Sequence, residues 1–266
     1  MARFLQISDL HITAPGALVS GRLDTAGQLR AAIDTIGARL NAIGPIDAVL
    51  ITGDISDDGS AASYDIARSE LARLGLPLLV IPGNHDCRDA LRSAFGDLPT
   101  MPPTGLIDWR FDIGGTTVIG LDTLVEGQGG GRLRPESLSF LSDALDASQG
   151  RRVLLALHHP PLRTGIRFMD AIGLENADAL ATVLERRTAP VRIVAGHVHG
   201  VHHGALGVHT VVTAPSTCSA FALDRRDDAP IGFMTGPTGC AVIDIGTDGW
   251  LWTAMPFDHG TGPFKF

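Results

Sequence analysis

Lysine is almost absent from this 266-residue chain: of 21 basic residues, the only lysine is Lys265. That argues against a phosphate-loop lysine, a Schiff base or a buried lysine base. Cysteine is scarce as well. Cys87, Cys218 and Cys240 are odd in number and form no CxxC pair, which reads as reduced thiols in a cytoplasmic protein, not a disulfide framework. Aromatic residues make up 5% and the formal net charge is −8, so no extended nucleic-acid track is expected. No apolar run approaches the ~20 residues of a membrane helix, and Asp9 comes too early for a secretory signal. Membrane insertion is therefore not expected. What remains is 44% apolar, enough for a large core, at a length of one large domain or one domain with an appendage.

Short β-rich runs alternate with amphipathic stretches. Arg3–Ile7, Ala48–Ile51, Leu78–Ile81, Val153–Leu157 and Val191–Ala195 read as buried strands. Helical patterns cover about Asp24–Leu40 with Asp24 as N-cap, Ala61–Leu74 before Gly75, Pro135–Ala147 and Asn176–Arg187. Trp109–Ile113 and Thr116–Leu121 flank Gly114-Gly115 and predict a hairpin. From Gly200 to Met255 the chain reads as all-β, with turns at Gly207 and Asp248-Gly249. The pattern predicts two packed sheets with helices outside them. Residues 1–266 form a single domain in this reading, with 216–266 a β-rich C-terminal extension placed as a cap or an interface.

Nearly every predicted strand ends in a potential metal ligand. The five strand ends carry Asp9-Leu10-His11, Gly53-Asp54, Gly83-Asn84-His85-Asp86, His158-His159 and Gly196-His197-Val198-His199. Ligands gather beyond the carboxyl ends of strands in open α/β sheets, so these five segments should converge. In extended chain, residues i and i+2 share a side, making Asp9/His11 and His197/His199 expected clamps. Asp54 has two oxygens with which to bridge two ions, and Gly53, Gly83 and Gly196 permit tight strand-to-loop turns.

This ordered set resembles the calcineurin-like metallophosphoesterase superfamily, from residue 4 to about residue 215. Within it the chain is most similar to bacterial class III cyclic-nucleotide phosphodiesterases and related glycerophosphodiesterases. That closer likeness is carried by His158-His159-Pro160-Pro161-Leu162 and by Gly165, Met169-Asp170 and Glu175-Asn176. The resemblance implies a four-layer αββα sandwich with two mixed sheets. It implies one ion on Asp9, His11, Asp54 and His199, and a second on Asp54, Asn84, His158 and His197. Two divalent or mixed-valence ions (Mn, Fe, Zn or Co) suit such thiolate-free O/N ligands. His158 matches the family's ligand better than His159, which is left as a supporting or substrate-side residue. Asn84 and His85 would also touch substrate.

His85 matches the histidine beside the leaving group and is the expected acid catalyst. Asp57 matches the second acid of Gly-Asp-x-x-Asp and is placed to orient His85. The implied reaction is hydrolysis of a small phosphodiester by metal-bound hydroxide, with 3′,5′-cyclic nucleotides first and glycerophosphodiesters as the alternative. Weaker alternatives are a phosphomonoesterase and a non-catalytic metal-binding interaction module. Asp58 stands where monoester-cleaving relatives have arginine, which favours diesters. Arg163–Asp170 and Ser216–Gly236 should rim the pocket. Relatives suggest a homodimer or higher oligomer, while His202, His203, His209 and His259 match nothing and read as loop or surface residues.

Overall fold

A computed structural model of the protein describes residues 1–258. Its elements follow in chain order. They are β1 (Ala2–Ile7), α1 (Thr25–Ile43), β2 (Ala48–Thr52), α2 (Ala61–Ala72), β3 (Leu78–Ile81) and α3 (Arg88–Phe95). After these come β4 (Trp109–Ile113), β5 (Thr116–Leu121), α4 (Pro135–Asp146), β6 (Arg152–Leu157), α5 (Arg167–Asp170) and α6 (Ala177–Glu185). The last are β7 (Arg192–Ala195), β8 (His203–Leu206), β9 (His209–Thr213), β10 (Gly239–Gly246) and β11 (Gly249–Pro256). Two mixed sheets result, one in the order β11-β10-β1-β2-β3 and the other β4-β5-β6-β7-β9-β8.

Alternation along the strands fixes the layering. In β5 and β6, Val118, Leu154 and Ala156 join the core shared with the first sheet and with α1–α3. Their neighbours Ile119, Val153, Leu155 and Leu157 face the other way and pack with Leu141 of α4 and with Leu180 and Leu184 of α6. This gives helix, sheet, sheet, helix. The sheets are also cross-linked by polar groups. The buried Gln6 amide of β1 donates to Thr52 Oγ1 and to the Ala195 carbonyl of β7, while Trp109 Nε1 donates to the Val80 carbonyl. A buried amide left unpaired would cost about 1–3 kcal/mol, so these bonds help fix the sheet-to-sheet register.

Helix starts follow their caps: Asp24 Oδ1 accepts from Gly27 N at 2.9 Å, and Ser60 Oγ from Ser63 N. Buried Leu29, Ala32, Ile33 and Ile36 give α1 the stripe that packs on the sheet. The C-terminal region departs from the all-β expectation. β8–β9 and β10–β11 are hairpins, but between β9 and β10 there is no sheet strand, only an isolated bridge between Ala220 and Met234. β10 pairs antiparallel with β1, so the last strands lie within the first sheet and not outside it. His209 is buried and accepts from Val191 N, in contrast to the surface role expected of it. His202 is half-buried, His203 is exposed, and His259 lies outside the described residues.

Candidate metal centre

The carboxyl ends of β1, β2, β3, β6 and β7 meet at one edge of the sandwich. Backbone and side-chain bonds join them: Asp9 N donates to the Gly53 carbonyl, His11 N to the Asp54 carbonyl, and Gly196 N to the His158 carbonyl. His197 N donates to Asp9 Oδ1 at 2.9 Å, so one carboxylate links segments 188 residues apart.

The ligand clamps do not arise from strand pleating. Asp9, His11, Asp54, His197 and His199 all have positive φ, between 47° and 70°, so each sits in a left-handed turn after its strand has ended. Asp and His tolerate this region better than most residues, and each such position costs about 1–3 kcal/mol. Left-handed turns thus aim the i and i+2 side chains at one point. Of the three turn glycines, Gly53 has positive φ, whereas Gly83 and Gly196 answer to crowding. A Cβ on Gly83 would lie 2.2 Å from Asp54 Oδ1, and one on Gly196 would lie 2.1 Å from Ser8 Oγ.

The donor atoms converge in two overlapping halves. In the first, His11 Nε2 lies 3.1 Å from His199 Nε2 and 3.5 Å from Asp54 Oδ2, while His199 Nε2 lies 3.5 Å from Asp9 Oδ1. In the second, Asn84 Oδ1 lies 3.1 Å from His158 Nε2 and 3.0 Å from His197 Nδ1, with Asp54 Oδ2 3.3 Å from His158 Nε2. Asp54 belongs to both halves. Asp9, His11, Asp54, His158, His197 and His199 are all buried; Asn84 is half-buried.

Outer hydrogen bonds decide which nitrogen each ring turns inward. His11 Nδ1 meets Asp57 Oδ1 at 2.9 Å, His158 Nδ1 meets the Thr52 carbonyl at 2.7 Å, and His199 Nδ1 meets Ser219 Oγ at 2.8 Å. With each outer nitrogen donating to its partner, each inner Nε2 would be left to offer a lone pair to an ion. Lone pair then faces lone pair between His11 and His199 at 3.1 Å, whereas His158, held cationic by Asp54, would give up its Nε2 proton to bind an ion. Asp9 Oδ2 and His197 Nε2 are buried without a hydrogen-bond partner. Acceptors packed against acceptors are repulsive unless cations lie among them, so the donor set fits metal ions.

His85 stands at the open side of the first half, with its side chain 41% exposed. Its backbone N–H donates to Asp54 Oδ1 at 2.9 Å, and its Nδ1 lies 3.3 Å from Asp57 Oδ1. Burial lowers the His85 pKa, but the Asp57 hydrogen bond and the Asp54 charge outweigh it and hold the imidazole at about 9. Asp57 serves His11 and His85 at once; burial raises its pKa, and hydrogen bonds from both histidines bring it well below the usual range. His158 likewise stands at about 9, where the charge and hydrogen bond of Asp54 overcome burial.

His159 is not on the substrate side. It is fully buried, its Nδ1 bonded to Thr123 Oγ1 at 2.8 Å and its Nε2 to the Gly129 carbonyl at 3.1 Å. Burial and the His158 charge push its pKa down to about 3. It packs edge-on against His158 and 4.4 Å from the His197 ring, bracing both. Other residues of the quoted motifs serve as supports. Asp86 accepts from Gly83 N, Ser56 N and the Tyr64 hydroxyl, tying two ligand loops together. Asp170 caps its own loop by accepting from Thr164 N, and Asn176 joins the start of α6 to the segment before α4 by accepting from Leu133 N. Asp58 accepts from Ala14 N and Ser60 N, joining the loops after β1 and β2.

Loops 163–170 and 216–236 do come together beside the cluster. Phe221 stacks on the His199 ring at 4.5 Å, Phe168 meets Phe221 edge-on, and Arg167 pairs with Asp227. Arg88, the one arginine near a ligand motif, is held by both oxygens of the fully buried Asp122 at 2.7 and 2.8 Å.

Comparison with known proteins agrees with this geometry. The family model described as calcineurin-like phosphoesterase matches residues 2–201. The 3′,5′-cyclic adenosine monophosphate phosphodiesterase CpdA of Pseudomonas aeruginosa is 33% identical over 224 residues, 84% of this chain and 79% of that one. The glycerophosphodiester phosphodiesterase GpdQ of Enterobacter lignolyticus is 29% identical over 265 residues, covering 98% and 93%. The crystal structure of a dimetal phosphatase from Danio rerio shares the fold, with a TM-score of 0.70 at 17% identity over 97% of this chain and 96% of the other. The chain belongs to the calcineurin-like phosphoesterase family and is a metal-dependent phosphodiesterase.

Proposed function

We propose that the protein hydrolyses small phosphodiesters at a two-metal centre, with 3′,5′-cyclic nucleotides as its substrates. The convergence of inward-facing acceptors around Asp54 carries this reading. Asp9, His11, Asp54 and His199 would hold one ion, and Asp54, Asn84, His158 and His197 the other. Two such ions, from among Mn, Fe, Zn and Co, would lower the pKa of a shared water and neutralise phosphoryl oxygens. The ligands bring two carboxylates against two cations, so the centre stays cationic and draws an anionic ester into an acidic protein.

This chain's own groups then act on the ester. His85, protonated and held at Nδ1 by Asp57, has Nε2 left to protonate the leaving alkoxide. Asn84 and His85 would touch the phosphoryl group. Arg88, which follows a ligand motif, is already held by Asp122 and so is not free to clamp a monoester dianion, which supports a diester monoanion. The aromatic ledge of Phe168 and Phe221 beside His199 suits a nucleobase.

A second reading, a glycerophosphodiester substrate, is favoured by the near full-length match to the Enterobacter enzyme. We read the whole chain as one domain that works in the cytoplasm as a homodimer or higher oligomer. Three free cysteines and the exposed Leu223, Ile231 and Met234 support this, and no described helix is long and apolar enough to cross a membrane. The test is turnover of metal-reconstituted protein on 3′,5′-cyclic AMP and glycerophosphocholine side by side. Higher kcat/KM for the cyclic nucleotide is expected; the reverse order selects the second reading, and no turnover of either rejects both.

A further inference from the structure

The amino-terminal ends of β6 and β7 lie at the opposite edge of the second sheet from His158 and His197, about 20 Å away along a six-residue strand. Arginine is concentrated there. Arg151, Arg152, Arg186 and Arg187 line a cavity of about 350 Å³. An adjoining cavity of about 220 Å³ shares Arg151 and Arg152 and adds Arg192 and Trp250. No carboxylate lines either cavity among the described residues.

These cations are poorly compensated. Asp112 reaches Arg151 at 3.6 Å and is itself held by Arg110 at 2.7 Å. Arg186 donates to the Ser142 hydroxyl, and Arg192 lies 5.5 Å over the Trp250 ring. Arg187 caps the end of α4 by donating to the carbonyls of Leu145 and Ser148, and also to that of Arg151. That duty leaves a remainder. Arg187 is nine-tenths buried, and its Nε has no hydrogen-bond partner. Burial lowers the pKa of both Arg187 and Arg192, as expected of cations removed from water without a counter-charge. His209, packed nearby, is pushed down first by burial and further by the charges of Arg187 and Arg192. In a chain of net charge −8, such a concentration of uncompensated arginine marks a place for an anion.

We propose that this arginine-lined cavity binds a compact, multiply charged phosphate anion at a site separate from the metal centre. Guanidinium forks match phosphate oxygens in pairs, and one such ligand would supply the missing counter-charge.

Tryptophan indole NMR tests this locally. Trp250 borders the site, whereas Trp109 is buried with its Nε1 bonded to Val80. Inorganic pyrophosphate added to zinc-loaded protein should shift the Trp250 indole signal saturably and leave Trp109 unmoved. Arg152→Glu with Arg192→Glu should weaken that response roughly tenfold or more while phosphodiester turnover is unchanged. Arg152→Gln alone should weaken it less, which keeps the test sound if the double variant folds poorly. ATP and phosphatidylserine vesicles, presented to the same protein, distinguish a free polyphosphate from a lipid headgroup. Absence of a saturable Trp250 shift, an equal shift in the charge-reversed variant, or response to vesicles alone would overturn the proposal.

Discussion

The two halves of the ligand cluster are braced by different means. On the first half, the outer nitrogens of His11 and His199 are held by side chains, the Asp57 carboxylate and the Ser219 hydroxyl. On the second, His158 leans on the Thr52 carbonyl, and the outer nitrogen of His197 has no partner. The first half has two carboxylates, Asp9 and Asp54; the second shares Asp54 and adds the neutral amide of Asn84. Ligand basicity in the first half is therefore open to tuning by single substitutions, while in the second it is fixed by the fold of β2.

The largest effect should come from breaking what the halves share. Asp54→Ala should empty both and lower turnover on the order of 10³-fold or more, metal content and rate falling together. Retention of both ions in that variant would remove Asp54 as the bridge. Next comes His85→Ala, which should cut kcat by roughly 10²–10⁴ with metal content unchanged. The loss should shrink for an aryl leaving group that needs little protonation; equal losses for good and poor leaving groups would remove His85 as the acid.

Asp57→Asn sharpens the comparison, because it touches only the first half. Metal affinity there should fall about 10- to 100-fold, with the second ion retained, as metal analysis during dialysis would reveal. In metal-free protein the His85 pKa should drop from about 9 toward its ordinary value, observable by histidine NMR. Since the folded pKa is the raised one, the stability from the His85–Asp57 pair is fully present below about pH 6.5. It disappears as pH rises through about 9, so the denaturation gap between wild type and Asp57→Asn should close at alkaline pH. The smallest effect is expected from Ser219→Ala, under about tenfold in the same half, because a hydroxyl is a weaker brace than a carboxylate. A larger loss than with Asp57→Asn would invert the comparison.

The convergence of these donor side chains was legible from the sequence because each group follows an apolar run that reads as a buried strand. Asp9, Asp54, Asn84, His158 and His197 all end such runs, and parallel strands bring their ends together. The reason given for the clamps was wrong even so. Pleating was expected to align Asp9 with His11, but both residues lie past the end of β1 in left-handed turns, which no periodicity announces. Of the two roles left open for His159, the supporting one could not be chosen from sequence, because adjacency to a ligand motif says nothing about burial. Only the packed structure shows Thr123 and Gly129 taking both its nitrogens. Ser219 and Phe221 lie in the 216–236 stretch expected at the pocket, but their individual roles were beyond reach, because that irregular stretch is seated by distant groups: the Asp9 and Ser8 carbonyls, Gln28 and His199. The pairing of β10 with β1, across nearly the whole chain, is likewise a long-range choice that local pattern does not encode.

The preference for diesters is what a metal-loaded centre predicts when Arg88, the arginine next to a ligand motif, is already held by Asp122. It is measured most directly as kcat/KM for a bis-aryl phosphate against the matching aryl phosphate, at one pH and with one metal. The diester is predicted to be the better substrate; a tenfold preference for the monoester, about 1.4 kcal/mol in transition-state terms, would contradict it.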